Sequence, residues 1–416
     1  MHERNITTSR VDRRSLLTGA LGIGAAGLVA GLPPAAAQAK AAAEKGGAVH
    51  KVVDVSVRLF TWPVIGGKDH TGYTRNAEVE LAVVTIKTDQ GAEGHSFLGA
   101  HRMSGDRWGA DLLQFLKPVI MGQNALDLGR LWHNLYNQSG YIMFPVLAAV
   151  DIALWDLAGR VMGQPIHRLI GTARDKALAY ASSAPNQTAE RYVEEALEYK
   201  SLGWKVYKIH PRKNAKEDIE VCTAVRKAVG PEMTLLCDSM WAYRFEEAMR
   251  VGRALEELDF YWFEDPLPRE DVYGNTKLCA ELDIPVMATE IGRDGFYGMP
   301  KYITERATDI LRSDTVLMGG ITPLVRITHL ADAFNMNCEI HSAGNGYNNV
   351  ANLNVLMATL NSDFFELLLP NDLEAYGLTE NIVVDQDGYV HAPTGPGLGF
   401  EVDWELVERR KTRTLS

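Results

Sequence analysis

Three carboxylates stand at the ends of three successive apolar runs: Asp238 in "MTLLCD", Glu264 in "FYWFED" and Glu290 in "IPVMATE". Each run has the short length and the β-branched or aromatic content of a buried strand. Taken singly, such an acid reads as a solvated strand end, and Glu264-Asp265-Pro266 as an ordinary strand-to-loop turn. Side by side in a semi-buried pocket, however, three carboxylates repel one another unless a cation neutralises them. Oxygen donors without Cys or His select Mg²⁺, with Mn²⁺ as a substitute. Asp265 is expected on the opposite side of its strand from Glu264, in a structural or supporting position.

Basic side chains flank these acids. Lys208 and His210 in "KVYKIH" are separated by one residue and therefore face the same side of a strand. A nearby ammonium group disfavours the imidazolium, leaving His210 neutral and able to accept a proton. His341 in "NCEIHSA" follows Asp314 in "DILRSD" by the length of one strand-helix unit. A carboxylate beside His341 would fix its tautomer and raise its basicity, as a catalytic dyad requires. A single histidine at a strand end is commonly a satisfied polar group, whereas two flanking a metal site read as bases on opposite faces of a substrate. Glu366, in "DFFELLLP", has two readings. Protonated by burial it would donate a hydrogen bond to a developing oxyanion; ionised it would pair with Lys208 or an arginine.

These residues recur about every 24 to 28 positions, the length of one strand-helix unit. Eight short apolar runs from "KALAYAS" to "DFFELLL" alternate with amphipathic stretches such as "AERYVEEALEYKSLG" and "FEEAMRVGRALEELD". Parallel strands need crossover helices, so the pattern predicts a closed (β/α)8 TIM-type barrel over 176–370. An open doubly wound sheet is the competing arrangement. In a barrel the strand ends converge on one face, which brings the ionisable residues into a single pocket. Residues 50–175 read as an α+β cap, with strand-like "VVDVSVRLF" and "AEVELAVVTIKT" followed by helical periodicity in "MFPVLAAVDIALWDLAGRVMG". The strand- and turn-rich segment 371–416 is expected to return to the cap.

The bulk numbers are those of an ordinary globular chain: 416 residues, 46% hydrophobic, 23% charged, with a formal net charge of -11. This acidity argues against nucleic acid as a partner. Residues 1–39 differ from the rest, with Arg13 and Arg14 preceding a Gly/Ala-rich apolar run and Ala-x-Ala spacing. They read as a twin-arginine export signal cleaved after Ala37 or Ala39, giving a periplasmic protein with no stable membrane insertion. An uncleaved anchor is the alternative, disfavoured because the run is short and weakly hydrophobic. Cys222, Cys237, Cys279 and Cys338 show no metal-binding spacing and read as small buried hydrophobes.

The ordered motifs "AAVDIALWDLAGRVMGQP", "KIH", "CDSMW", "FEDPLP", "ATE", "RSDTVLMGGIT", "EIHSAG" and "FEL" resemble the mandelate racemase and muconate lactonizing group of the enolase superfamily, from Val52 onward. The resemblance implies an enolase-like capped barrel in which Asp238, Glu264 and Glu290 bind Mg²⁺. It further implies that Asp314 and His341 form the base dyad and that Glu366 faces the substrate carboxylate. Lys208 matches the first lysine of the family's Lys-x-Lys pair; His210 replaces the second. Met240 stands where relatives often carry a polar residue, which makes that side of the pocket drier. The cap stretch "TWPVIGGKDHTGYTRN", with Lys68, His70, Tyr73 and Arg75, is expected to select the substrate.

The implied reaction is removal of the proton α to a carboxylate to give an enediolate. With loss of a 3-hydroxyl this is a lyase, a sugar-acid dehydratase yielding a 2-keto-3-deoxy acid. With reprotonation between His210 and His341 it is a racemase or epimerase. A non-catalytic periplasmic binding protein is the reading from another class, and loss of a metal ligand or of the dyad would be its signature. The expected partner is a small carboxylate substrate, and a homo-oligomer is expected by analogy with symmetric barrel enzymes.

Overall fold

The computed structural model describes residues 49–63, 67–68, 74–75, 78–100, 104–211, 214–292, 294–342, 344–370 and 375–416. Segment 1–39 with Arg13 and Arg14, expected to be an export signal, and His70 and Tyr73 of the cap stretch, lie outside them; Lys68 and Arg75 fall in the two-stranded ribbon β2 (Gly67–Lys68) and β3 (Thr74–Arg75).

The cap sheet begins with β1 (Val52–Pro63), β4 (Glu78–Thr88) and β5 (Glu93–Leu98), paired antiparallel in that order. Alternation sets the buried face: Val55, Val57 and Leu59 of β1 and Ala82, Val84 and Ile86 of β4 are fully buried against helices. The turn between β4 and β5 closes through Gly91 at φ 77, a conformation costly for other residues. Helix Phe144–Met162 starts with a proline in its first turn and crosses β5 so closely that a Cβ on Gly94 would lie 2.2 Å from the carbonyl of Ala153. Val150, Ala153, Leu154 and Leu157 on that helix complete the cap core.

The barrel follows as eight parallel strands: β6 (Lys176–Ser182), β7 (Val206–Ile209), β8 (Thr234–Asp238), β9 (Phe263–Glu264), β10 (Val286–Ala288), β11 (Ile310–Ser313), β12 (Asn337–Ile340) and β13 (Phe364–Leu368). Pairing of β13 with β6, in register from Phe364↔Leu178 to Leu368↔Ser182, closes the cylinder and removes the open-sheet alternative. The intervening helices begin at side-chain caps where the sequence supplies them: Thr188 accepts from the backbone N–H of Arg191, Asn214 from Glu217, Asp271 from Gly274 and Asn345 from Asn348. The segment after 370 divides its strands: β14 (Tyr389–His391) pairs antiparallel with β6 of the barrel, and β15 (Lys411–Leu415) pairs antiparallel with β1 of the cap.

Inside the barrel the two-residue strand period produces layers. Tyr180, Val206, Leu236, Trp262, Met287, Ile310 and Phe364 pack as one apolar cluster. The rings of Tyr180, Trp262 and Phe364 lie 5.8–6.4 Å apart in edge-on or tilted contacts. Two residues further along the strands stand Ser182, Lys208, Asp238, Glu264, Arg312 and Glu366. A charged layer thus rests on a dry floor. All four cysteines are free, three of them buried. Among the described residues no helix is long and apolar enough to cross a membrane.

Candidate active site

Asp238 and Glu264 are direct neighbours in the β8–β9 register, and Glu264 adjoins Met287 of β10, whose chain reaches Glu290 three residues later. One oxygen from each of Asp238, Glu264 and Glu290 lies within 4.8 Å of the others. Asp238 and Glu264 are buried, while Glu290 retains some exposure toward the pocket. Burial would raise Asp238, but the Lys208 ammonium and His210 outweigh it and hold the carboxyl below its usual range. Glu264 moves the other way. Burial, with Asp238 and Glu366 nearby, keeps it above the usual range in spite of Arg312 and Lys208.

Four non-glycine residues beside these acids adopt left-handed φ: Met240 (50°) and Trp241 (62°) after Asp238, Asp265 (43°) after Glu264, and Thr289 (90°) before Glu290. For a β-branched threonine this is an outlier, held in place because its hydroxyl exchanges two 3.0 Å hydrogen bonds with the backbone of Arg312. The left-handed turn at Asp265 also removes the basis of the expectation from strand alternation. β9 ends at Glu264, so alternation does not govern Asp265. Burial, followed by the charges of Glu290, Asp238 and Glu264, drives its carboxyl well above the usual range.

Lys208 is fully enclosed. Its ammonium lies 2.8 Å from Glu264 and 3.2 Å from both Asp238 and Glu366, so three carboxylates occupy its three N–H directions. Arg312 was not among the expected site residues. It is completely buried, with Nε 2.9 Å from Glu264 Oε1 and Nη2 2.6 Å from Glu366 Oε2, and it also donates to the Tyr180 hydroxyl at 2.9 Å. Its signal in the sequence is an arginine two residues after Ile310, at an inward position of an otherwise apolar strand.

These cations decide between the two readings of Glu366. Burial alone would raise its pKa, but Arg312, Lys208 and His341 hold it well below the carboxylate range. Its oxygens accept from the Ser182 hydroxyl at 2.8 Å and the Ser342 backbone N–H at 2.7 Å. Glu366 is therefore an ionised acceptor, and the expectation of a buried, protonated donor is corrected.

The dyad residues meet: His341 Nδ1 lies 2.6 Å from Asp314 Oδ2. The other oxygen of Asp314 accepts 2.6 Å bonds from the backbone N–H groups of Val316 and Leu317, which fixes the carboxylate that meets the imidazole. His341 Nε2 faces Glu290 Oε1 at 3.4 Å. Burial lowers the His341 pKa, but Glu290 and Asp314 outweigh it and raise it to about 9. On the other flank His210 Nε2 is 3.1 Å from Asp238 Oδ2, and its Nδ1 is 3.5 Å from the Ser183 hydroxyl. His210 is thus drawn onto a carboxylate of the acidic cluster.

Comparison with known proteins agrees with this geometry. Residues 56–171 match the mandelate racemase / muconate lactonizing enzyme N-terminal domain, and residues 191–406 match the enolase C-terminal domain-like family. The chain is 29% identical to arabinonate dehydratase of Saccharolobus solfataricus over 81% of its length and 92% of that protein. It is 30% identical to D-galactarolactone cycloisomerase of Agrobacterium fabrum over 80% of its length and 91% of the relative. Its fold superposes on the crystal structure of D-glucarate dehydratase from Agrobacterium tumefaciens complexed with magnesium with a TM-score of 0.80 and 35% identity, covering 88% of this chain and 100% of that one. With its antiparallel cap, its closed barrel and its ring of acids at the strand ends, this chain belongs to the mandelate racemase / muconate lactonizing enzyme group of the enolase superfamily.

Proposed function

We propose that this protein is a Mg²⁺-dependent sugar-acid dehydratase that removes the proton α to a carboxylate and expels the neighbouring hydroxyl as water. The observation that carries the reading is the pairing of an all-carboxylate group, Asp238, Glu264 and Glu290, with the oriented His341–Asp314 dyad. The donor set fits a hard divalent cation: three oxygens from three adjacent strands, in a site where Glu264 resists ionisation even beside two cationic side chains. When bound, Mg²⁺ supplies Lewis-acid stabilisation of negative charge on the substrate carboxylate. The kinship with sugar-acid dehydratases supports the substrate class.

The chain's own residues account for the proton. His341 commits Nδ1–H to Asp314; with its pKa raised to about 9, it must first shed the Nε2 proton that faces Glu290, and Nε2 then takes the C2 proton. The resulting imidazolium is stabilised by Asp314 and can return that proton to the departing 3-hydroxyl. The C2–H and C3–O bonds break, water leaves, and the enol rearranges to the 2-keto-3-deoxy acid. Lys208 and Arg312 place two fixed positive charges beneath the reacting carboxylate, while ionised Glu366 holds both in position.

His210 supports the racemase reading as the second base, but its Nε2 lies 3.1 Å from Asp238, a bond it must surrender before accepting a proton there. His341 Nε2 faces Glu290 in the same way, at 3.4 Å, so it is the kinship with sugar-acid dehydratases that favours dehydration over racemisation. A purely binding protein would not require the dyad, which is intact. The test is incubation of the protein and Mg²⁺ with a panel of aldonic and aldaric acids, following 2-keto-3-deoxy products. We expect turnover to fall about 10²- to 10⁴-fold in His341→Asn and to survive in His210→Asn. Exchange of the α-proton with solvent deuterium, lost for one epimer in each variant and without keto product, would replace dehydration by racemisation.

A further inference from the structure

We infer that Asn352 is a positioning residue that sets the distance and alignment of the His341–Asp314 pair from outside the pocket. The inference rests on the proposed role of that pair as the base. Asn352 lies on helix Gly346–Met357, every residue of which is buried, and is itself 1% exposed. Its Oδ1 accepts from the backbone N–H of Thr315, the residue after Asp314, at 2.9 Å. Its Nδ2 donates to the carbonyl of His341 at 2.8 Å. One amide therefore bridges the two loops that carry the dyad, beside the backbone bond from His341 N–H to Ser313 O at 2.9 Å.

The chemistry of the helix argues that this bridge is used. Asparagine is a weak helix former, and burying an amide costs free energy unless both of its ends are bonded. This helix nevertheless carries Asn348, Asn349, Asn352 and Asn354 within twelve residues. Asn349 bonds the Ser342 hydroxyl at 3.1 Å, and Ser342 N–H in turn holds Glu366. Asn348 donates to the carbonyl of Phe97 in the cap sheet, and the capping Asn345 donates to Gly99. Asn354 differs: its amide bonds Val350, Leu398 and His167, none of them in the pocket. It is a stringent control, an equally buried amide on the same helix that bonds three residues where Asn352 bonds two.

The dyad bond at 2.6 Å is short, and so sensitive to small shifts of either loop. Removing Asn352 leaves the Thr315 N–H and the His341 carbonyl without partners and frees the loops to drift apart. Outer partners of this kind typically change activity by about 10- to 100-fold.

The primary test is proton NMR of the intact protein in the far-downfield imidazole region, which needs no substrate. Wild type should show a slowly exchanging His341 Nδ1–H resonance, assigned by its disappearance in His341→Asn. In Asn352→Ala it should broaden away, and in Asn354→Ala it should persist. With the sugar acid that gives turnover, Asn352→Ala should lower kcat about 10- to 100-fold with KM and Mg²⁺ affinity within threefold of wild type, and Asn354→Ala should not. An unchanged resonance in Asn352→Ala, or equal loss of kcat in the two variants, overturns the inference. If His341→Asn itself retains wild-type turnover, the base assignment fails instead, and the NMR comparison still decides whether Asn352 holds the pair together.

Discussion

Replacing Arg312 by Met keeps much of the side-chain volume and deletes one charge from a sealed site. In the native protein two cations, Lys208 and Arg312, face Asp238, Glu264 and Glu366. Without Arg312 a single ammonium must serve all three. Removing one partner of a buried ion pair costs about 3–5 kcal/mol, because the remaining charge is left uncompensated. The lower end applies here. Glu264 keeps Lys208 at 2.8 Å and the Trp262 indole N–H at 3.2 Å, and Glu366 keeps Lys208, Ser182 and Ser342. We therefore expect Arg312→Met to lose about 3 kcal/mol in urea unfolding with EDTA present. In millimolar Mg²⁺ the loss should shrink, since a divalent ion bound by Glu264 neutralises the charge that Arg312 no longer covers. Tryptophan fluorescence follows the transition, with Trp262 in the floor as a reporter. A loss below about 1 kcal/mol, the scale of an exposed pair, would refute the charge-balance reasoning, as would an identical loss with and without Mg²⁺.

Glu264→Gln should lower Mg²⁺ affinity at least tenfold, about 1.4 kcal/mol by titration calorimetry, and abolish turnover; full activity in EDTA-treated wild type would refute the metal assignment. His95, on β5 between Thr85 and the Trp404 ring, has its pKa pushed down to about 4, chiefly by burial. A depressed folded pKa contributes stability above the unfolded value near 6.5 that is lost as pH falls through 4, about 3 kcal/mol in all. Stability measured at pH 7 and pH 4 should therefore fall more in wild type than in His95→Asn, and parallel curves would contradict this. For the N-terminal segment we propose twin-arginine export, so changing Arg13 and Arg14 both to Lys should retain the precursor in the cytoplasm, and unchanged periplasmic recovery would refute that route.

The strand-end acids and the dyad were legible because a barrel converts a spacing of one strand-helix unit into proximity. Asp238, Glu264 and Glu290 needed only their place at the ends of apolar runs. Arg312 escaped because attention to terminal residues overlooks the position two before the end, although the step that sets Glu264 above Trp262 also sets Arg312 above Ile310. The ionisation of Glu366 was illegible for the same reason, since it depends on Lys208 and Arg312 meeting it from β7 and β11. Asp265 cannot be placed by strand alternation, because the strand ends one residue before it and the chain enters a left-handed turn. Asn352 carries no local signal. Its bonds run to loops 37 and 11 residues away, and only the fold reveals them.

The rings of Tyr180, Trp262 and Phe364 form a packed floor beneath the charged layer of the barrel. The polar atoms of two of these rings bond to the layer above, the Tyr180 hydroxyl accepting from Arg312 and the Trp262 N–H donating to Glu264, and the rest of the cluster is apolar, so it offers a proton no relay toward the N-terminal ends of the strands. A proton that His341 takes from a substrate therefore stays on the side of the charged layer, to depart on a leaving group or on solvent admitted there. The lower half of the barrel, though it touches no reactant, thus restricts the proton inventory of the site to what the upper half supplies.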